Sequence, residues 1–254
     1  VYVNDAFGAA HRAHASTGGV ARLLPAVAGL LMERELDYLG RIVANPQRPL
    51  GAIIGGAKVS DKVGCLRFLL PEMNVLVVGG GMANTFLKAH GASVGESLVE
   101  DDQLDNVRSL VDEAKKAGVQ LVLPRDVVVG DRFDAGAQAK TVAAHDVPDG
   151  WRIMDVGPQS IEAYKQALGG CRTVVWNGTL GVAEFPRFAR GSEALARYLA
   201  ELDAVTVVGG GETAALVRAI GVADKFDHVS TGGGAFLEFL EGRELPGVAA
   251  LGDA

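Results

Sequence analysis

Two lysines four residues apart follow a short apolar run and a glycine pair. In GAIIGGAKVSDK, Lys58 and Lys62 come directly after Gly55 and Gly56. Read as the start of a helix, that spacing sets both ammonium groups on one face, at the end where the helix dipole is already positive. The arrangement is unfavourable unless an anion sits between the charges. The plainer alternative is a pair of solvated lysines beside Asp61. A second stretch, VVWNGTLGVAE, ends a strand on Trp176 and Asn177 and reaches Glu184 after a glycine turn. Its amide and carboxylate suit metal-bound phosphates and ribose hydroxyls, or an Asx-type turn and a first-turn glutamate. GGGETA, from Gly209 to Ala214, satisfies G-x-G-x-x-A between a strand and a helix, and Asp227 lies near the spacing of a ribose-binding acid. STGGG, from Ser230 to Gly234, offers either a nest of backbone N–H groups or a simple tight turn. The opening VYVNDAFGAAHRAH adds His11, Arg12 and His14, with no cysteine nearby to complete a metal set. No G-x-x-x-x-G-K-[ST] occurs, which excludes an ordinary P-loop.

Elements that position these residues follow from a repeated rhythm. Short apolar runs ending in glycine alternate with stretches of helical periodicity: VLVVGGG precedes MANTFLKAH, WRIMDVG precedes PQSIEAYKQAL, and AVTVVGGG precedes ETAALVRAI. Continuous apolar strands separated by helices predict a parallel sheet covered on both faces. Ligands of such sheets bind beyond the carboxyl ends of the strands, which is where the glycines cluster. Glycine admits close backbone approach and helix N-termini attract negative charge, so the predicted ligand is a phosphate. Upstream, the apolar positions from Pro25 to Ile42 fall at helical spacing until NPQRP stops them, predicting one long helix over 25–46.

Bulk properties fit this reading. The 254 residues are 48% hydrophobic and 22% charged, an ordinary globular composition. A net charge of −7 argues against nucleic acid or an anionic membrane as the main partner. No apolar run approaches the roughly 18 residues of a membrane span. With only two cysteines there is no disulfide framework, so a reducing cytoplasm is the expected setting.

Taken together and in order, NDAFGAAHRAHAS, GAIIGGAKVSDK, VVGGGMANTFL, DVVVGDRFD, IMDVGPQS, VVWNGTLGVAEF, VVGGGETAA and STGGGAFLEFLEG resemble the phosphoglycerate kinases over essentially the whole chain. The resemblance implies an α/β protein. Its carboxy-terminal domain would be a parallel, Rossmann-like three-layer sandwich that binds nucleotide, accompanied by a remnant of a second α/β domain. The implied boundaries are 1–24 for the remnant of a phosphoglycerate-binding domain, 25–46 for an interdomain helix, 47–242 for the nucleotide domain and 243–254 for a tail. The implied chemistry is glycolytic phosphoryl transfer between 1,3-bisphosphoglycerate and MgADP, giving 3-phosphoglycerate and MgATP, with Mg²⁺ as cofactor. The full-length enzyme is expected to be a cytoplasmic monomer. Most of the family's amino-terminal domain has no counterpart here, so the chain alone is expected to bind nucleotide without turnover.

Carried over by position, the resemblance sets Lys62, Gly210 and Gly233 at the catalytic centre. The nucleotide would meet Gly56, Lys58, Lys62, Gly80, Gly157, Asn177, Gly181, Glu184, Gly209, Gly210, Gly211, Glu212 and Thr213. Phosphoglycerate would meet Arg12 and His11 together with Gly232, Gly233 and Gly234. Three departures fall on one edge of the nucleotide site: Thr179 stands where the family carries proline, Ala183 where it carries an aromatic residue, and Glu212 where it carries the aspartate associated with magnesium. The competing readings are an NAD-dependent oxidoreductase built on GGGETA and Asp227, and a non-catalytic nucleotide-binding relic.

Overall fold

The glycine-ended apolar runs fold largely as the rhythm predicts, in a computed structural model that describes residues 1–252. The chain opens with β1 (Tyr2–Asn4), β2 (Ala26–Ala28) and α1 (Leu30–Ala44). Alternation then begins with β3 (Leu50–Ile54), α2 (Val63–Leu69), β4 (Val75–Val78), α3 (Gly80–Ala89), β5 (Ser93–Val94), α4 (Leu104–Lys116) and β6 (Gln120–Val122). An excursion follows through β7 (Asp126–Gly130), β8 (Ala139–Ala143), β9 (Asp146–Val147), β10 (Arg152–Val156) and α5 (Pro158–Leu168). Alternation resumes with β11 (Thr173–Asn177), α6 (Arg190–Leu199), β12 (Val205–Gly209), α7 (Gly211–Ala219), β13 (His228–Val229), α8 (Gly234–Leu240) and α9 (Pro246–Ala249).

The central sheet has the order β13-β12-β11-β3-β4-β6 and every pairing in it is parallel. The chain leaves β3 toward β4 and β6, and later returns to the other side of β3 with β11, β12 and β13. Neighbouring strands β3 and β11 therefore send their connections in opposite directions, the switch point where such sheets bind ligands. Side chains alternate between two cores as a pleated strand requires. Ala52, Ile54, Val175 and Val207 face helices α1 to α4 and α8, whereas Ile53, Val174, Trp176 and Val208 face α5, α6 and α7.

Several local expectations change. WRIMDVG, read as another strand of the parallel sheet, forms β10 in a separate three-stranded antiparallel sheet of order β10-β7-β8. The long helix begins at Leu30 rather than Pro25, because Ala26–Ala28 is drawn into parallel pairing with β1. Gly29 is extended there, and the Asp5 carboxylate accepts the Met32 N–H at 2.9 Å, supplying the cap that the helix start lacks locally. Asn4 donates to the Gly247 carbonyl at 3.1 Å. The Asn-Asp pair of the opening stretch thus fastens structure rather than ligand. The final two residues of the expected 243–254 tail lie outside the described residues, and the rest of it includes α9.

One buried carboxylate ties α1 to the far edge of the sheet. Glu35 is 0% exposed. Its Oε2 lies 2.7 Å from His228 Nε2, while Oε1 accepts the Thr231 N–H at 2.6 Å and the Thr231 hydroxyl at 2.8 Å. Burial pushes the Glu35 pKa up, but bonds from His228, Thr231 and Ser230 outweigh it and hold the group below its ordinary 4.5. A carboxylate with a depressed folded-state pKa contributes stability above the unfolded value, and that stability is lost as pH falls through the folded one. Glu35→Gln is therefore expected to cost about 2 kcal/mol at pH 7, by removing charge from three donors in a buried site. Denaturant unfolding should show the gap between the two proteins narrowing below pH 4.5. A gap that stays constant to pH 3 would show that the charge is not what stabilises.

Candidate nucleotide site

Three strand ends meet at the switch point, and their backbones lock together. Gly55 N–H donates to the Asn177 carbonyl and Gly56 N–H to the Thr179 carbonyl, both at 2.9 Å. Gly80 N–H donates to the Leu180 carbonyl at 3.0 Å. The crossing is close enough to dictate residue type. Gly80 has φ +64, and a methyl there would lie 2.5 Å from Gly56 N and 2.6 Å from the Thr179 carbonyl oxygen. Only glycine meets both demands.

Lys62 sits within this junction. It is 8% exposed, and its ammonium donates to the Gly55 carbonyl at 2.5 Å and the Asn177 carbonyl at 3.2 Å. Burial pushes the ammonium down to about 8, opposed by acidic neighbours that include the Glu212 and Asp61 carboxylates. The expected Lys58–Lys62 pair on one helical face does not form. Helix α2 starts at Val63, Lys62 occupies its cap, and Lys58 lies exposed in the preceding loop. That loop is pinned from outside by the Glu100 carboxylate, which accepts from the N–H groups of Val59 and Ser60 and from the Ser60 hydroxyl.

Around Lys62 the predicted residues assemble in sequence. Asn177 is 3% exposed, and its Nδ2 has no hydrogen-bond partner among the described residues. A methyl on Gly210, whose φ is +90, would lie 3.2 Å from that Nδ2. Gly209 ends β12, Gly211 opens α7, and Glu212 stands exposed in its first turn. Thr213 points inward and accepts the Gly178 N–H at 2.9 Å. Gly233 approaches Gly211 N to 3.9 Å, counted from a methyl placed on it, so the STGGG turn adjoins the GGGETA turn. A methyl on Gly234 would lie 2.8 Å from His11 Nε2, and one on Gly232 would lie 2.8 Å from the Phe7 ring. The first loop of the chain thus packs on the turn before α8. His11 Nδ1 is buried without a partner among the described residues, and Arg12 beside it is exposed.

A cavity of about 240 Å³ opens beside this row, lined by Gly56, Gly80, Gly181, Glu184 and Glu212 among the expected residues. Leu98, Phe133, Ile153, Met154, Leu180 and Val182 form its apolar walls, and Asn84, Glu96 and Arg152 add polar groups. Sequence reasoning assigned no role to Asn84, Glu96, Leu98, Phe133 or Arg152. They lie on α3, on the loop after β5 and on the antiparallel excursion, where no spacing rule announces a ligand. Gly157 is not in this lining; it caps α5, and its N–H donates to the Asp126 carbonyl at 2.9 Å. The Asp227 carboxylate is already engaged, accepting the Thr206 N–H at 2.8 Å and the Thr206 hydroxyl at 3.1 Å. Thr206 lies at the amino end of β12, opposite the glycines, so the ribose-acid expectation for Asp227 is corrected and the dinucleotide reading loses its support. In place of the family's proline, Thr179 closes its turn by donating its hydroxyl to the Gly181 carbonyl at 2.9 Å.

Comparisons with known proteins agree with this geometry. The family model described as phosphoglycerate kinase matches residues 1–243. The chain is 58% identical over 258 residues to the phosphoglycerate kinase of Synechococcus sp. (strain JA-3-3Ab), covering 100% of this chain and 63% of that protein. It is 57% identical over 251 residues to that of Moorella thermoacetica, covering 99% and 64%. Among solved structures, the phosphoglycerate kinase of Coxiella burnetii matches with a TM-score of 0.92 and 44% identity, over 98% of this chain and 64% of that one. The enzyme from Pyrococcus horikoshii matches with a TM-score of 0.82 and 32% identity. The chain spans somewhat under two thirds of the length of these relatives. On a family match that covers nearly every residue, the chain belongs to the phosphoglycerate kinase family.

Proposed function

We propose that this chain is the nucleotide-binding portion of a phosphoglycerate kinase, which moves a phosphoryl group between 1,3-bisphosphoglycerate and ADP to give 3-phosphoglycerate and ATP. The observation that carries the reading is the Lys62 ammonium, buried at the switch point beside an unpartnered amide and two glycine-capped helix starts. In this transfer the acyl oxygen–phosphorus bond breaks while a terminal ADP oxygen bonds to the same phosphorus. No proton has to move. Catalysis then rests on positioning and charge neutralisation. Lys62 offers its positive charge to the phosphates, Asn177 Nδ2 offers a donor, and the N-terminus of α7 offers backbone N–H groups. His11, Arg12 and the turn through Gly232, Gly233 and Gly234 form the phosphoglycerate side of the cleft.

Magnesium fits as the nucleotide's companion rather than as a resident metal. Among the described residues no three His, Cys, Asp or Glu side chains cluster to hold an ion. Mg²⁺ is often held by one or two carboxylates plus phosphates and water, and the Glu212 carboxylate at the cavity rim supplies one. When bound, the ion would neutralise phosphate charge. A cytoplasmic setting belongs to the same proposal, supported by the free thiols of Cys65 and Cys171 and by a tobacco relative named "Phosphoglycerate kinase, cytosolic".

Isothermal titration should show MgADP binding to the chain, while a coupled assay shows no turnover until the amino-terminal portion present in its relatives is joined to it. Absence of MgADP binding would sink the reading. Bound phosphates favour the charged form of Lys62, so binding takes up protons around pH 8 and affinity should fall as pH rises beyond about 8. Lys62→Met should weaken MgADP roughly 10- to 100-fold, remove that pH dependence and leave the melting temperature unchanged or higher, since a buried charge is gone. Chelating Mg²⁺ should weaken ADP binding in the unaltered chain, and Glu212→Gln should shrink that difference.

A further inference from the structure

The chain between β11 and α6 closes over a buried carboxylate that has no cation to pair with. Asp155, on β10, is 1% exposed and makes no ion pair among the described residues. Its oxygens accept backbone N–H groups instead, from Val156 at 2.9 Å and from Gly191 at 2.8 Å. A methyl on Gly181 would lie 2.4 Å from Asp155 Oδ1, and one on Gly191 would lie 2.5 Å from the same atom. Both ends of the segment 181–191 therefore press on the carboxylate. Between those ends the segment is lightly held. It bonds to neighbouring elements through the Val182 N–H, which donates to the Met154 carbonyl at 2.9 Å, and through Arg187, which donates to the Ala137 carbonyl at 2.7 Å. Its largest buried side chain, Phe188, joins a small cluster with Ala137 and Met154 rather than either main core. Few outside bonds and a satellite core mark a segment that opens locally at lower cost than the central sheet.

A carboxyl group in a dry site without a cation is penalised only while it carries charge. We propose that residues 181–189 form a proton-sensitive strap: protonated Asp155 favours the seated strap, and ionised Asp155 favours lifting it into water. Gly181, Val182 and Glu184 line the cavity, so the proton that seats the strap also completes that wall. Burial pushes the Asp155 carboxyl up to about 7 against the bonds from Gly191, Val156 and Arg190, and the charge of Glu193 on α6 adds to the rise. Tyr164 on α5 also faces it, and that ring feels Asp126 of β7 as well. The other charges of α5, Glu162 and Lys165, pair with each other at 2.7 Å. Helix α3, which packs across β10, carries only Lys88, paired with Asp101 at 2.7 Å. Glu184, Arg187 and Arg190 on the strap and at the start of α6 are exposed. An acid raised from 3.8 when the strap is lifted to about 7 when it is seated holds the strap most firmly at low pH. That advantage is lost as pH rises toward 7 and is gone above it.

No ligand is needed for this response, so amide hydrogen exchange on the free chain tests it. The N–H groups of Val182, Phe188 and Gly191 should exchange through an opening less costly than that of β11. With intrinsic exchange rates divided out, their opening constant should rise about tenfold from pH 6 to pH 8 and level off beyond. In Asp155→Asn, which carries no charge at any pH, the rise should vanish. Thermal unfolding confirms that the variant is folded. If it is not, carbon-13 titration of the Asp155 carboxyl in the unaltered chain decides, with a midpoint near 7 expected. A midpoint near the ordinary 3.8, or an opening constant that ignores pH, overturns the proposal. So does a rise that persists in folded Asp155→Asn. Exchange of these amides only together with those of β11 would show that no separate strap exists, and overturns it as well.

Discussion

A single ammonium at the centre of a parallel sheet is the constraint from which the site follows. Parallel strands end with carbonyl oxygens directed into the crevice, and at the switch point no neighbouring connection covers them. Lys62 fills that position, donating to the carbonyls of Gly55, just after β3, and of Asn177, the last residue of β11. Burying a cation there is costly, as its lowered pKa shows, and two carbonyls offset only part of the cost. The strain is useful. A desolvated positive charge beside an amide that has no partner among the described residues would be relieved by an anion, and this is what supports the phosphate reading. Glycine is forced on the surrounding turns by the same geometry, since three strand ends cross within hydrogen-bond distance of one another.

A second buried charge orders the opposite side of the cleft. Glu35 lies on the helix that leads out of the β1–β2 sheet, yet its oxygens are bound by His228 and Thr231 at the start of the STGGG turn. The turn itself rests on Phe7 and His11 from the first loop. The helix, the turn and the loop are therefore one mechanical unit. Through Glu35 the helix is bonded to the turn that carries Gly232 to Gly234, which in turn adjoins Gly211.

The sheet and its glycine-rich carboxyl edge were legible because buried parallel strands are apolar throughout and here give way to glycine where the chain turns toward the next helix. What failed was local competition. Ala26–Ala28 carries helical spacing, yet pairing with β1 claims it, a contact between residues far apart in the chain. WRIMDVG is apolar like its counterparts, but nothing in its composition distinguishes an antiparallel partner from a parallel one. Lys58 and Lys62 have the spacing of a helical face, while the chain begins its helix at Val63, after both of them. Asp227 has the right distance along the chain for a ribose acid and lies at the wrong end of its strand. Linear spacing does not encode which end of a strand a residue adjoins. Asn84 and Arg152 gave no signal at all, since an isolated polar residue in a helix or strand is ordinarily solvated.

The departures at Thr179, Ala183 and Glu212 bear on how much of this site depends on side-chain identity. The cavity wall from Gly178 to Val182 is held by backbone bonds. Gly178 N–H donates to Thr213, Leu180 N–H donates to the Ser192 hydroxyl at 2.8 Å, and the Thr179 carbonyl accepts from Gly56. Behind Gly181 lies Asp155, 1% exposed, whose carboxylate accepts the N–H groups of Gly191 and Val156. Burial pushes that carboxyl up to about 7 even against those bonds, so the wall is anchored on a group that costs energy to keep ionised. Exchanging proline for Thr179 removes a rigid ring but adds the hydroxyl bond to Gly181 that closes the same turn. Because these anchors lie behind the lining, the pocket's shape is set by backbone and buried groups. Glu212, exposed at the cavity rim, takes no part in that framework.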